Sequence, residues 1–172
     1  MNTKLVVLSL LELGIGILLG VAVLYIAYWI LSKVVFKKHD IQKDNVAYAV
    51  LVSAVLFAVG NIMEGAIDPI ANVIRQLASA YEGAGRVFLE SIKYVVVFIV
   101  ISMILALLIN VIAVKLFMRL TQVDEFEEIA KNNMAPALVT GIIAIVISLF
   151  AKAPAVQLME ALIPYPDLPS IL

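Results

Sequence analysis

Few side chains in this sequence could do chemistry, and several of them lie where a bilayer would surround them. Glu12 stands about two turns into an apolar run covering residues 5–31. Glu64 and Lys152 close two later apolar runs, and Glu90 and Lys93 open another. Asn110 sits inside that last run, between Ile109 and Val111. An ionisable group at membrane depth is costly, so each is a candidate for ion binding or for a contact between helices. Glu12 shares a helical face with Gly16 and Gly20, which points it into a helix contact. For the rest there is a plainer reading, in which long side chains at helix ends reach the headgroups. Asn110 either bonds across helices, for roughly 0.6–2 kcal/mol, or serves as a ligand in a permeation path.

Other chemistry is missing. The chain has no Cys, which removes disulfides, thiolate metal sites and Cys nucleophiles. Its one His, His39, lies in a charged loop between Lys38 and Asp40 and has no partner set for a metal. No phosphate-cradling Gly loop and no His–Glu metal motif is present. The acidic run Asp124, Glu125, Glu127 and Glu128 reads as a solvated face or a helix's first turn. We expect no catalytic residues, no cofactor and no metal. A net charge of −1 argues against nucleic acid as a partner, because phosphates call for a basic surface.

The elements that would hold these residues follow from the apolar patterning. The 172 residues are 64% hydrophobic and 15% charged, with a mean hydropathy of +1.10. A soluble domain is nearer half apolar and a quarter charged. The excess is gathered into runs at residues 5–31, 45–63, 94–118 and 133–151. Each covers or approaches the ~20 residues that cross a bilayer as a helix. The first run is too long for the core of a signal peptide and is expected to stay. Trp29, Tyr25 and Tyr28 suit an interfacial belt. Asn45 and Asn133 are expected to cap the second and fourth spans. Residues 67–87 form a linker in which Asp68-Pro69 signals a helix start. Ile70, Val73, Ile74, Leu77 and Tyr81 recur at helical spacing there, which predicts an amphipathic helix in the membrane interface, ended by Gly83-Ala84-Gly85. Residues 153–172 repeat the idea: Pro154 opens a short amphipathic segment, and Pro164, Pro166 and Pro169 turn the tail extended.

The chain also matches itself at an offset of 88 residues. Ile41, Lys43, Asn45, Ala47 and Ala49 fall on Ile129, Lys131, Asn133, Ala135 and Ala137. We therefore expect two repeats, residues 1–66 and 88–152, of two helices each. In the same frame Ala49, Ser53, Gly60 and Glu64 fall on Ala137, Gly141, Ser148 and Lys152. Small residues meet small residues, which lets helices pack closely in lipid. Glu64 falls on Lys152, which raises an ion pair as a hypothesis. Two crossings per repeat make the repeats parallel. Lys33, Lys37, Lys38, Lys43, Lys115, Arg119 and Lys131 flank the hairpin turns, against Lys4, Arg75, Arg86, Lys93 and Lys152 on the other side. The excess places the turns in the cytoplasm and both termini outside.

The twice-repeated unit, an apolar helix, a polar loop and then Lys-x-Asn-x-Ala-x-Ala opening a second helix, resembles the prokaryotic membrane family catalogued as domain of unknown function 350. The residues that carry this are Lys43, Asn45, Ala47, Ala49 and Lys131, Asn133, Ala135, Ala137. Repeat 1 departs from repeat 2 at Tyr48, where repeat 2 has Pro136. The resemblance implies a four-helix inner-membrane protein with a loose link to envelope-stress systems, and it brings no catalytic residues. Two functional readings stand. One is a structural or interaction protein: a homo-oligomer among membrane lipids that docks an unidentified protein partner. The other is an oligomeric ion channel or small-solute transporter lined by Glu12, Asn110, Glu64 and Lys152.

Overall fold

Long apolar runs broken by Asn, Gly and charged turns fold here into helices. A computed structural model describes residue 17 and residues 20–33, 44–81, 83–121 and 124–163. Among them are α1 (Gly20–Leu31), α2 (Val46–Glu64), α3 (Ile67–Ala80), α4 (Ala84–Leu120), α5 (Glu125–Ala130) and α6 (Met134–Leu162), and no strand. Three stretches are apolar and long enough to cross a bilayer: Val46–Ala80, Gly85–Leu120 and Met134–Leu162. Glu12 and Gly16 lie outside the described residues, as do His39 and most of the expected first span.

The exposed surface fits lipid. Along α4, Val96, Val100, Ile104, Leu108, Ile112 and Leu116 recur every four residues and are all exposed. In water such a stripe would be an aggregation hazard, whereas lipid tails cover it without cost. Three apolar helices of spanning length, with this surface, suggest a membrane protein. At the end of α1, Tyr25, Tyr28 and Trp29 are exposed, and the Lys33 ammonium lies 4.5 Å from the Trp29 ring centroid.

Helix boundaries correct the sequence reading in three places. The third run starts not near residue 94 but at Ala84, and α4 continues for 37 residues, about 55 Å. Gly83, at φ 108°, turns the chain into it with a conformation that favours glycine. Pro154 does not open a separate segment. It lies inside α6, which runs unbroken to Leu162. Its ring frees the carbonyl of Phe150 just where Lys152 marks the end of the apolar run, a site where polar surroundings can take up the loss. Asp68 does not cap α3; the cap position is Ala66, and Asp68 falls in the first turn.

The face of α3 is also used differently. Pro69, Val73 and Leu77 are buried, and α3 packs on α4. Its apolar stripe is therefore largely taken up by protein, leaving Ile67 and Ile74 as the exposed large apolar groups. Only Gly65 and Ala66 separate α2 from α3. A Cβ on Gly65 would stand 2.6 Å from Val156 Cγ2, so this turn presses directly on α6.

The core lies between α2, α4 and α6. Its buried side chains include small and branched ones, Ala47, Leu51, Ala58 and Ile62 from α2, Ala106 from α4, Ala137 and Ala144 from α6, around the ring of Phe98 from α4. Ala27 and Leu31 of α1 are buried in the same cluster. Residue numbers rise together along α2 and α6, from Ala47 beside Asn132 to Glu64 beside Lys152, so these two helices run parallel.

Candidate functional site

The α2–α6 contact gathers most of the residues singled out from the sequence that are described. Each helix opens on an asparagine. Asn45 and Asn133 take nearly the same backbone angles, φ −78° and ψ 106° against φ −79° and ψ 113°. Asn45 Oδ1 accepts the Tyr48 amide at 2.7 Å, and Asn133 Oδ1 accepts that of Ala135 at 3.2 Å.

Capping does not exhaust Asn45, as the sequence had implied. The residue is buried, and its Nδ2 donates to the carbonyls of Ile129 at 2.6 Å and Ala130 at 3.2 Å. Asn132 replies from the other side. Its Oδ1 accepts the Ala47 amide at 3.0 Å, another of the free donors at the start of α2. Asn132 holds φ 64°, a left-handed turn that Asn tolerates better than most residues. Its role was not legible, because the bond spans 85 residues. Asn133 is exposed, and its Nδ2 donates to Glu128 at 2.9 Å.

In the middle of the contact, small residues bring the backbones together. A Cβ on Gly141 would come within 2.8 Å of Ala54 Cβ. Ser148 is buried, donates to the Ile145 carbonyl at 2.7 Å and accepts Asn61 Nδ2 at 3.3 Å. At the far end the Lys152 ammonium pairs with the Glu64 carboxylate. Both keep some exposure, 34% for the Lys side chain and 58% for the Glu. Glu90 and Lys93 pair with each other at 2.8 Å. Those four charges thus close into two pairs.

The small-residue face expected on α2 does not meet α6. Ser53 is exposed and donates to its own helix at the Ala49 carbonyl, 2.8 Å away. Gly60 has Leu24 Cδ2 at 3.8 Å from a notional Cβ, an ordinary contact with α1. Ser53, Gly60 and Glu64, with Leu24 and Phe57, line a shallow open groove. A Cβ on Gly20 would meet nothing within 4 Å, so the structure gives no close packing there. The reason is geometric: the side of α2 that carries Ala54 and Asn61 meets α6, and Ser53 and Gly60 lie about 100° round the helix from them.

Asn110 is buried, but among the described residues it does not bond across helices. Its Nδ2 donates to the Ala106 carbonyl one turn back, at 2.8 Å. Its Oδ1 and Thr140 Oγ1 are buried without a partner among the described residues.

The acidic run is not wholly solvated either. Asp124 caps α5, its Oδ1 accepting the Glu127 amide at 3.1 Å. Glu127 and Glu128 pair with Lys131, at 2.8 and 3.0 Å. Glu128 is held below the usual carboxylate range, first by the hydrogen bond from Asn133 and then by Lys131. Lys131 is raised above the usual lysine range by its bonds to Glu127 and Glu128. Glu125, in contrast, is buried on the same face as Ile129. Thr121 Oγ1 donates to one of its oxygens, and the other has no partner among the described residues.

Comparison with curated proteins and with solved structures finds no match. The sequence, however, fits one family model over residues 4–154, a span that takes in both asparagine caps, the small-residue contact and the Glu64–Lys152 pair. The chain belongs to the family described as Domain of Unknown Function, DUF350.

Proposed function

We propose that this chain is an oligomeric structural or interaction protein of the inner membrane. In this reading it crosses four times, as two parallel two-helix repeats, with both termini outside. The observation that carries the reading is the closed α2–α6 contact, in which Asn61 pairs with Ser148 and Glu64 with Lys152. Gly141 sits against Ala54, and Ser148 is satisfied by Ile145 and Asn61. The one buried amide of mid-span α4 is tied to its own backbone at Ala106. Such a contact holds helices together and leaves little that could carry a solute. The partners are lipids, further copies of the chain and a protein that remains to be captured.

An oligomeric ion channel or small-solute transporter is the second reading. Asn110 Oδ1 and Thr140 Oγ1 favour it, as buried acceptors with no partner among the described residues. Single-particle imaging in nanodiscs separates the two. A particle with a dry or lipid-filled centre is expected. A hydrated axis lined by Asn110, with ion flux in liposomes that Asn110→Leu abolishes, would replace the first reading by the second.

A further inference from the structure

The α2–α6 contact is built from two different faces, and each face recurs on the other helix, largely outside that contact. In the contact, Gly141 of α6 meets Ala54 of α2, Ser148 meets Asn61, and Lys152 meets Glu64. Step each α6 member back by the 88-residue offset that relates the caps, and it becomes Ser53, Gly60 and Glu64. These line the open groove on α2 together with Leu24 of α1 and with Asn61, and of the three Glu64 already has a partner on α6. Step Ala54 and Asn61 forward by the same offset, and they become Ile142 and Leu149. Both lie on the outer side of α6, 56% and 57% exposed. The chain thus carries a second, unmade copy of its own internal contact, with the groove on one helix and the ridge on the other.

We propose that a second copy of this chain fills the groove, its α6 ridge of Ile142 and Leu149 packing parallel to α2 over Ser53 and Gly60. The inference rests on the repeat reading above and deepens it by naming the interface. A groove floored by Ser and Gly gains little from mobile lipid tails, which are as apolar as any side chain. A fixed ridge of bulky residues gives it many van der Waals contacts at once. The interface is heterologous: groove meets ridge, so every copy keeps one of each free for the next. Assembly then continues until a rotation about the membrane normal closes it into a ring. Glu64 gains a second lysine, Lys152 of the neighbouring copy. Both side chains retain exposure for this, and charges of alternating sign would circle one face of the ring.

The native chain has no Cys, so engineered pairs read the interface cleanly. The full chain carrying both Ser53→Cys and Ile142→Cys is oxidised in native membranes and in nanodiscs. A ladder of covalent dimers, trimers and larger species is expected. Each single variant alone gives no dimer, and the two singles co-expressed give dimers only. Dimers from Ser53→Cys alone would mean a two-fold contact on the groove and would overturn the proposal. An assembly seen by native mass spectrometry, but with no cross-link in the double variant, overturns this interface and spares the oligomeric reading. A single-chain mass in nanodiscs overturns both. A further variant, Ser53→Leu, fills the groove from outside the internal contact. It is expected to reduce the assembly to single chains while helical content stays that of the native protein. An assembly of unchanged mass in that variant counts against the proposal.

Discussion

At the scale of single residues, glycine positions that look alike in sequence differ in what surrounds them. Gly141 and Gly60 both sit on small-residue faces. A methyl on Gly141 meets Ala54 at 2.8 Å, whereas one on Gly60 meets only Leu24 at 3.8 Å. Gly141→Ala should therefore destabilise by about 1–3 kcal/mol, the usual cost of overpacking. Gly60→Ala should stay within about 0.5 kcal/mol of the native protein, as for a substitution with room around it. Thermal unfolding in detergent compares the two, and equal losses would deny the asymmetry. That the glycines lie on matched faces was legible in their spacing. Which face turns inward was not, because it depends on a partner helix 87 residues away. The same holds for Asn110. Its depth in an apolar run could be read, while its choice of Ala106 over another helix could not.

At the scale of helices, the two asparagine caps set up a second comparison. Asn133→Ala removes a cap and should cost about 0.5–2 kcal/mol. Asn45→Ala removes the same cap and also takes its Nδ2 from the carbonyls of Ala130 and of Ile129, the second of which keeps the Asn132 amide, at about 1–3 kcal/mol more. Unfolding midpoints of the two variants check the order. Asn133→Ala has a separate signature at Glu128. The carboxyl sits low because Asn133 and Lys131 bond its charged form. That contribution is fully present above the ordinary glutamate range and is lost as pH falls through the lowered value. Removing Asn133 should raise the midpoint of a Glu128 NMR titration toward the ordinary range. No movement would mean that Lys131 alone holds it. Helix starts at Asn45 and Asn133 were readable because capping is local chemistry. The length of α4 and the passage of α6 through Pro154 were not. Polarity at Glu90 and a proline both look like stops until neighbouring helices support what lies beyond them.

At the scale of the whole molecule, the Glu64–Lys152 pair joins two points far apart in the chain. A charge reversal tests it. Glu64→Lys should lower stability by about 0.5–1 kcal/mol, since the pair is partly exposed and such pairs are weak. Adding Lys152→Glu should recover most of the loss in the same unfolding assay, and a double variant as weak as the single one would show that the pair contributes nothing. The likeness of the chain to itself was visible in sequence. The asymmetry of the packed pair was not, since it depends on which side of α2 the distant α6 comes to rest against.

The polar clamps at the two ends of the α2–α6 contact have a mechanical consequence. Asn45 and Asn132 lock one end against α5, and Glu64 and Lys152 lock the other. Between them Gly141 and Ala54 interlock like teeth. Sliding one helix past the other by a turn, about 5.4 Å, would break both locks and unseat the teeth together. The pair therefore behaves as a strut of fixed length. When the surrounding bilayer thins or thickens, a strut cannot telescope. It can only lean as one piece, and the change in tilt is carried outward to whatever rests against its sides.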